Sequence, residues 1–156
     1  MVKNLKGDLL ASDCQYICHQ VNCRGKMNSG IAKSIREKWP KVYESYLTKF
    51  AGKFVVSPIG TIQIVTVYDD FDDRLCVVNM FSQQDYGYDG QKYTSYDAFW
   101  ACLQKISETV PAGAKIGFPK NIGCCRGGAN WNVISTMITE VLGDKYDVAI
   151  YEYDGG

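Results

Sequence analysis

The sequence predicts an α/β fold, with a mixed, mostly parallel sheet covered by helices on both faces. Three observations predict it. Segments apolar at strand spacing alternate with segments apolar at helical spacing through most of the chain. One acidic turn, Asp69-Asp70-Phe71-Asp72-Asp73, joins two neighbouring strands and supplies a single hairpin. Two glycine-bearing loops each follow a strand and open a helix, as the connections of a parallel sheet do.

Residues 2–6 read as a short edge strand leading into Gly7-Asp8, and residues 16–22 as a second strand. Residues 29–39 read as a helix, because Ile31, Ala32, Ile35 and Trp39 fall on one face. Pro40 stops or restarts it, and Val42, Tyr43, Tyr46, Leu47 and Phe50 continue with helical spacing. Residues 60–68 alternate Ile62, Ile64, Thr66 and Tyr68 against Thr61, Gln63, Val65 and Val67. A strand apolar on both faces reads as central. Residues 74–81 complete the hairpin. Residues 82–93 form a polar, Gly- and Tyr-rich loop, longer than a plain connection needs. Thr94 or Ser95 caps a helix that turns Tyr96, Phe99, Trp100, Leu103, Ile106 and Val110 inward, and Pro111-Ala-Gly-Ala ends it. Residues 115–119 form a short strand. Residues 130–142 form a helix with Val133, Ile134, Met137, Ile138, Val141 and Leu142 as its stripe, closed by Gly143. Residues 147–153 are the last strand.

The chain of 156 residues fits one compact domain, taken here as residues 1–156. Apolar residues make up 46% and aromatic residues 13%, enough for a core and against disorder. With 17 basic and 17 acidic residues the formal charge is zero, which argues against a general nucleic-acid binder. No stretch has the roughly 20 apolar residues of a membrane span, so no membrane partner is expected. Seven cysteines behind a start without a long apolar segment read as reduced thiols in a cytoplasmic protein. Zinc held by Cys14, Cys18, His19 and Cys23 is the metal alternative, but no paired Cys-x-x-Cys knuckles support it. No metal or cofactor is expected.

Residues 16–32, Tyr-Ile-Cys-His-Gln-Val-Asn-Cys-Arg-Gly-Lys-Met-Asn-Ser-Gly-Ile-Ala, are the most informative stretch. Strand, loop and helix N-terminus in series aim backbone N–H groups and the positive end of a helix dipole at one spot, which suits a phosphate. The loop Ile122-Gly-Cys-Cys-Arg-Gly-Gly-Ala129 has the same character. Sites in such sheets lie outside the carboxyl ends of the strands, so the two loops can meet and grip a diphosphate from both sides. A neutral protein binding an anion this way relies on concave arrays of backbone donors, which glycine permits.

Gly7-Asp8-Leu9, the His19-Gln-Val-Asn-Cys-Arg-Gly-Lys-Met-Asn-Ser-Gly-Ile-Ala loop, Ile122-Gly-Cys-Cys-Arg-Gly-Gly-Ala-Asn-Trp131 and the closing Ile150-Tyr151 together resemble the macrodomain family. The likeness runs in order through nearly the whole chain. It is nearest the branch of ADP-ribose-1″-phosphate phosphatases and the terminal ADP-ribose glutamate hydrolase, with its short phage-type members. The resemblance implies a three-layer α/β/α sandwich on a mixed six-stranded sheet. It also implies ADP-ribose or ADP-ribose-1″-phosphate as ligand, and the partner set otherwise reads as empty, with the chain a monomer. Asp8 would accept from the adenine amino group, with the Leu9 N–H beside it. Met27, Ser29, Gly30, Ile31 and Ala32 would bring the first helix N-terminus to the diphosphate. Gly123, Cys124, Cys125, Arg126, Gly127 and Gly128 would cover its other side and the distal ribose. Tyr151, or else Tyr153, would pack on the adenine, Phe81 would line the ribose end, and Asn22 would face the distal ribose.

For chemistry, the candidates are His19, Asn22 and Asp89. His19 is the only histidine. It reads either as a core residue or as an acid–base group near neutral pH, and phosphatase-branch members have a histidine at the matching place. Asp89 reads as a turn residue or as an acidic group able to reach a terminal phosphate. Cys124 and Cys125 read as small packing residues or as a nucleophile. The strand over residues 74–81 runs on through Ser-Gln-Gln without the lysine of the glutamate hydrolase, and Gly127 stands where that enzyme has an aspartate. The expected activity is therefore hydrolysis of the terminal phosphate of ADP-ribose-1″-phosphate. The alternatives are a non-catalytic ADP-ribose reader, or a hydrolase that removes ADP-ribose from a modified protein or nucleic acid.

Overall fold

The computed structural model describes residues 1–52, 56–87, 89, 91–124 and 127–154. Six strands, β1 (Val2–Lys6), β2 (Tyr16–Val21), β3 (Ile62–Tyr68), β4 (Arg74–Phe81), β5 (Lys115–Pro119) and β6 (Asp147–Glu152), form one sheet in the order β1-β6-β5-β2-β4-β3. Only the β3–β4 hairpin is antiparallel. Four helices cover the sheet: α1 (Gly30–Lys38), α2 (Pro40–Leu47), α3 (Tyr96–Thr109) and α4 (Trp131–Leu142). The fold is the expected three-layer α/β/α sandwich on a mixed six-stranded sheet.

Strand periodicity divides the core in two. On β2, Ile17 and Val21 face Ile35 of α1 and Val42 and Tyr46 of α2. Cys18, one position out of phase, faces the other way, toward Phe99, Leu103 and Ile106 of α3 and Ile134 and Ile138 of α4. Helix boundaries follow local chemistry. Pro40 opens α2 at a position whose N–H needs no partner. Ser95, rather than Thr94, caps α3 by accepting from the Ala98 N–H, and Asn130 caps α4 by accepting from the Asn132 N–H. Among the described residues no helix is long and apolar enough to cross a membrane.

One expectation is corrected. β3 lies at the sheet edge, paired only with β4, and is not central. Its two-faced apolarity has another cause: Ile62 and Ile64 pack toward α3, while Val65 and Val67 belong to the α1–α2 layer. Two outward carbonyls of this edge are taken by side chains. Lys41 Nζ donates to Thr66 O at 3.0 Å and the Trp39 indole donates to Tyr68 O at 2.9 Å. Covering an edge in this way blocks strand addition.

The α1–α2 layer also holds a polar rung across three strands. His19, Asn79 and Gln63 are direct neighbours in register on β2, β4 and β3. His19 Nε2 lies 2.5 Å from Asn79 Oδ1, Asn79 Nδ2 donates to Gln63 Oε1 at 3.0 Å, and Gln63 Nε2 donates to Ser45 O of α2 at 2.7 Å. The chain of donors fixes His19 as the neutral tautomer with its proton on Nε2. His19 Nδ1 is buried without a hydrogen-bond partner. Burial pushes the His19 pKa down to about 4, and the Asn79 hydrogen bond pulls it back only in part.

Two predictions follow from the packing. Gly117 of β5 is so close to its neighbours that an added Cβ would fall 2.5 Å from Leu9 Cδ1 and 2.7 Å from Cys14 Sγ. Gly117→Val should therefore cost about 1–3 kcal/mol, read as a lower urea midpoint; an unchanged midpoint would contradict the packing. His19 binds its proton more weakly folded than unfolded, so its contribution is unchanged above pH 6.5 and is lost as pH falls toward 4. Between pH 7 and pH 4 the wild-type unfolding free energy should fall by about 3 kcal/mol more than that of His19→Gln. Parallel pH profiles for the two proteins would refute the assignment.

Candidate functional site

β1, β6, β5, β2 and β4 run parallel, so the loops after them share one rim of the sheet. A cleft of about 370 Å³ opens there. Val21, Asn22, Lys26, Met27, Asn28, Ser29, Gly30, Ile31 and Ala32 line it from the segment between β2 and α1, and Pro119, Lys120, Asn121, Ile122, Gly123 and Gly127 from the segment after β5. Gln20, Gln83, Tyr86 and Gly87 complete it.

The first loop is built around Tyr46. Its buried hydroxyl accepts from the N–H groups of Gly25 at 3.0 Å and Lys26 at 3.1 Å, and lies 2.8 Å from both Asn22 O and Asn22 Oδ1. Burial pushes the Tyr46 phenol well above its ordinary pKa, so it stays a hydroxyl. Asn22 closes the turn from inside. Its Oδ1 accepts from the Arg24 N–H at 2.9 Å and its Nδ2 donates to Lys26 O at 2.8 Å. Beyond this turn, Ser29 occupies the N-cap position of α1 but its side chain makes no capping bond. The first-turn N–H groups of a helix have no carbonyl within the helix to meet. No acidic residue occupies that turn, so the positive end of the dipole faces the cleft uncompensated. Gly30 enters the helix at φ +59°, with open space where a Cβ would be.

The second loop leaves β5 through Asn121, which takes the left-handed conformation at φ +65°. Gly123 O accepts from the Ala129 N–H at 3.0 Å, and Gly127 O from the Tyr93 N–H at 2.7 Å and the Thr94 N–H at 3.0 Å. A Cβ at Gly127 would lie 2.2 Å from Thr94 Oγ1 and 2.4 Å from Gly123 O. Position 127 thus has no room for any side chain. Cys124 Sγ lies 3.4 Å from Ile122 O. Cys125 and Arg126 lie outside the described residues.

Eight of the sequence-derived candidates meet in this one cleft: Asn22, Met27, Ser29, Gly30, Ile31, Ala32, Gly123 and Gly127. Asp8, Leu9 and Tyr151 lie on the same rim beside it. Asp8 is exposed and accepts from the Leu10 N–H at 2.9 Å. Leu9 is buried against Gly117. Tyr151 pairs with Pro119, accepts at its carbonyl from the Lys120 N–H at 2.8 Å, and sets its ring 3.9 Å from where a Gly7 Cβ would be. Gly128, at φ +72°, closes the second loop behind the wall.

Three placements depart from the expected wall. Phe81 is fully buried and stacks on Tyr46 with centroids 5.7 Å apart, because its register with Val21 turns it to the α1–α2 layer. His19 is sealed in the polar rung on that same face and is absent from the wall. Asp89 is exposed and bound to Tyr93, whose hydroxyl donates at 2.7 Å and holds the carboxyl below its usual pKa. Of the three catalytic candidates, only Asn22 reaches the cleft. Sequence reasoning passed over Gln20, Lys26, Gln83, Lys120 and Asn121. The available signal was the polar residue at the end of each strand beside a glycine loop. The proposed zinc ligands separate, since Cys18 belongs to the α3–α4 layer and Cys14 and Cys23 to the other. Burial pushes all three thiols up. Among the described residues no three His, Cys, Asp or Glu side chains come together as metal ligands.

The chain matches no family model. An uncharacterised 17.5 kDa protein of Enterobacteria phage T4 is 25% identical over 161 residues, covering 99% of this chain and 97% of its own. The ADP-ribose 1″-phosphate phosphatase of Aspergillus oryzae is 26% identical over an alignment 117 positions long, with 55% of this chain and 58% of that enzyme covered. The DNA ADP-ribosyl glycohydrolase of Mycobacterium tuberculosis is 25% identical over 158 residues, all of this chain but only 43% of that protein. Among solved structures, the macrodomain of Mycobacterium tuberculosis DarG superposes with a TM-score of 0.78 at 21% identity, over 97% of both chains. A Bacteroides thetaiotaomicron protein superposes with a TM-score of 0.78 at 27% identity, over 97% of this chain and 99% of its own. Thermosipho africanus DarTG in complex with ADP-ribose gives a TM-score of 0.75 at 17% identity, over 96% of this chain and 41% of that one. The chain thus has the fold of the macrodomains.

Proposed function

We propose that the rim cleft binds ADP-ribose, with its diphosphate between the first turn of α1 and the Gly123–Gly127 loop. The observation that carries this reading is the meeting of both glycine-bearing loops in the lining of one cleft. Backbone N–H groups would take the phosphate oxygens, and Lys26 would add a cation, while Lys120 is held by Glu152 at 3.4 Å. The adenosine end would extend along the rim toward Asp8 and Tyr151, where a carboxylate and an aromatic ring suit an adenine. The distal ribose would lie by Asn22 and Tyr86. The ADP-ribose complex of a similar fold supports the choice of nucleotide.

The reaction we assign to this site is hydrolysis of ADP-ribose-1″-phosphate, in line with the Aspergillus relative. A water oxygen would bond to the terminal phosphorus, the bond from phosphorus to the 1″ oxygen would break, and that oxygen would leave with a proton. The described wall carries neither a histidine nor a carboxylate. Catalysis would therefore rest on placing the water and on stabilising the phosphoryl charge with Lys26 and loop N–H groups. His19, neutral and sealed, would keep β2 and β4 in place. The burial of His19 and the tie of Asp89 to Tyr93 favour a second reading, a reader that binds ADP-ribose without turnover.

Calorimetric titration with ADP-ribose should give micromolar binding; no heat at millimolar ligand would sink the assignment. Gly30→Glu adds a carboxylate beside the proposed anion site, in space free of other atoms though at a φ of +59° that strains any side chain, so Gly30→Gln serves as the uncharged control. Against that control, Gly30→Glu should weaken binding at least tenfold, since like charge at the helix N-terminus opposes the diphosphate. Binding unchanged by this variant would move the diphosphate elsewhere. Release of inorganic phosphate from ADP-ribose-1″-phosphate separates the two readings: turnover supports the phosphatase, and tight binding without release supports the reader.

A further inference from the structure

The second loop is held at both ends by one residue outside it. Thr94 is buried, just before the N-cap of α3. Its Oγ1 donates to Gly123 O at 2.8 Å and its N–H donates to Gly127 O at 3.0 Å. The hydroxyl also accepts from Gln20 Nε2 at 2.9 Å, and a hydroxyl that accepts there has its one proton free for Gly123. Gln20 is fixed in turn. Its Oε1 accepts from Ser82 Oγ at 2.7 Å and its Nε2 also donates to Gln83 Oε1 at 2.6 Å. Every polar atom in this chain is directed, and it ties β2, the loop after β4 and the loop after β5 together at the cleft.

From this geometry we infer that Thr94, oriented by Gln20, is the positioning residue for the second anion cradle. The inference rests on the proposed reading of the cleft as an ADP-ribose site. A glycine loop free to sample many backbone states would lose entropy on closing around a diphosphate, and pre-setting it removes that cost. Thr94 clamps the loop at Gly123 and Gly127 before any ligand arrives. The glycine at 127 answers to the same clamp, since the space beside it is filled by Thr94 Oγ1. Thr94 itself is absent from the cleft wall, so it acts through the loop and not by touching ligand.

Thr94→Val keeps the shape and removes the hydroxyl, whereas Thr94→Ser keeps the hydroxyl. Two readouts are taken on each. In the unliganded protein, amide hydrogen exchange at Tyr93 and Ala129, whose N–H groups donate to Gly127 O and Gly123 O, should speed up at least tenfold in Thr94→Val and stay near wild type in Thr94→Ser, with α1 unchanged in both. In titrations, ADP-ribose affinity should fall about tenfold in Thr94→Val, the loss expected of one hydrogen bond, and recover in Thr94→Ser. AMP, which has one phosphate and no distal ribose, should lose less than twofold. Unchanged loop exchange in Thr94→Val overturns the inference, whatever the ligand. So does equal loss of AMP and ADP-ribose, or exchange that rises throughout the chain. A wild-type protein that shows the clamped loop but takes up no ADP-ribose overturns the reading of the cleft beneath it.

Discussion

The site depends on the parallel pairing of β2 with β5. Tyr16 lies opposite Ile116 and Ile17 opposite Gly117, so two strands far apart in sequence end side by side. Each ends in a loop that opens a helix, and adjacency of the strands forces adjacency of the loops. The close approach of Leu9 and Cys14 to Gly117 packs this seam, and no larger residue fits there. Every property ascribed to the cleft follows from this seam being in register.

The two loops are stiffened in the same manner from opposite layers. On the α1–α2 side, Tyr46 reaches up from α2 to hold the turn from Asn22 to Lys26. On the α3–α4 side, Thr94 reaches from the start of α3 to hold Gly123 and Gly127. In both, a buried hydroxyl takes up loop N–H or carbonyl groups that would otherwise need water. The remaining N–H groups, those of the first turn of α1, are left facing the cleft. A protein with no net charge can present a local anion site in this way, because the attraction comes from oriented dipoles and a few lysines.

Much of this was legible in the sequence, and the failures have physical causes. Element order, the hairpin and both loops could be read because periodicity and glycine placement are local signals. The edge position of β3 could not, since two helical layers make an edge strand as apolar on both faces as a central one. His19 was singled out as the lone histidine, but Asn79 and Gln63, which hold it inside the sheet, are far along the chain. Phe81 ends a strand whose last side chain faces the core, and register alone decides that. Thr94 was weighed only as a helix cap. Its bonds to Gly123 and Gly127 join segments about thirty residues apart, and no local pattern announces such a contact.

A crystal structure of the protein with ADP-ribose tests the central claim most directly. The account predicts diphosphate oxygens within hydrogen-bonding distance of the N–H groups of Ile31 or Ala32 on one side and of the Gly123–Gly127 loop on the other. A nucleotide seated elsewhere, or a diphosphate touching only one of the two loops, would contradict it.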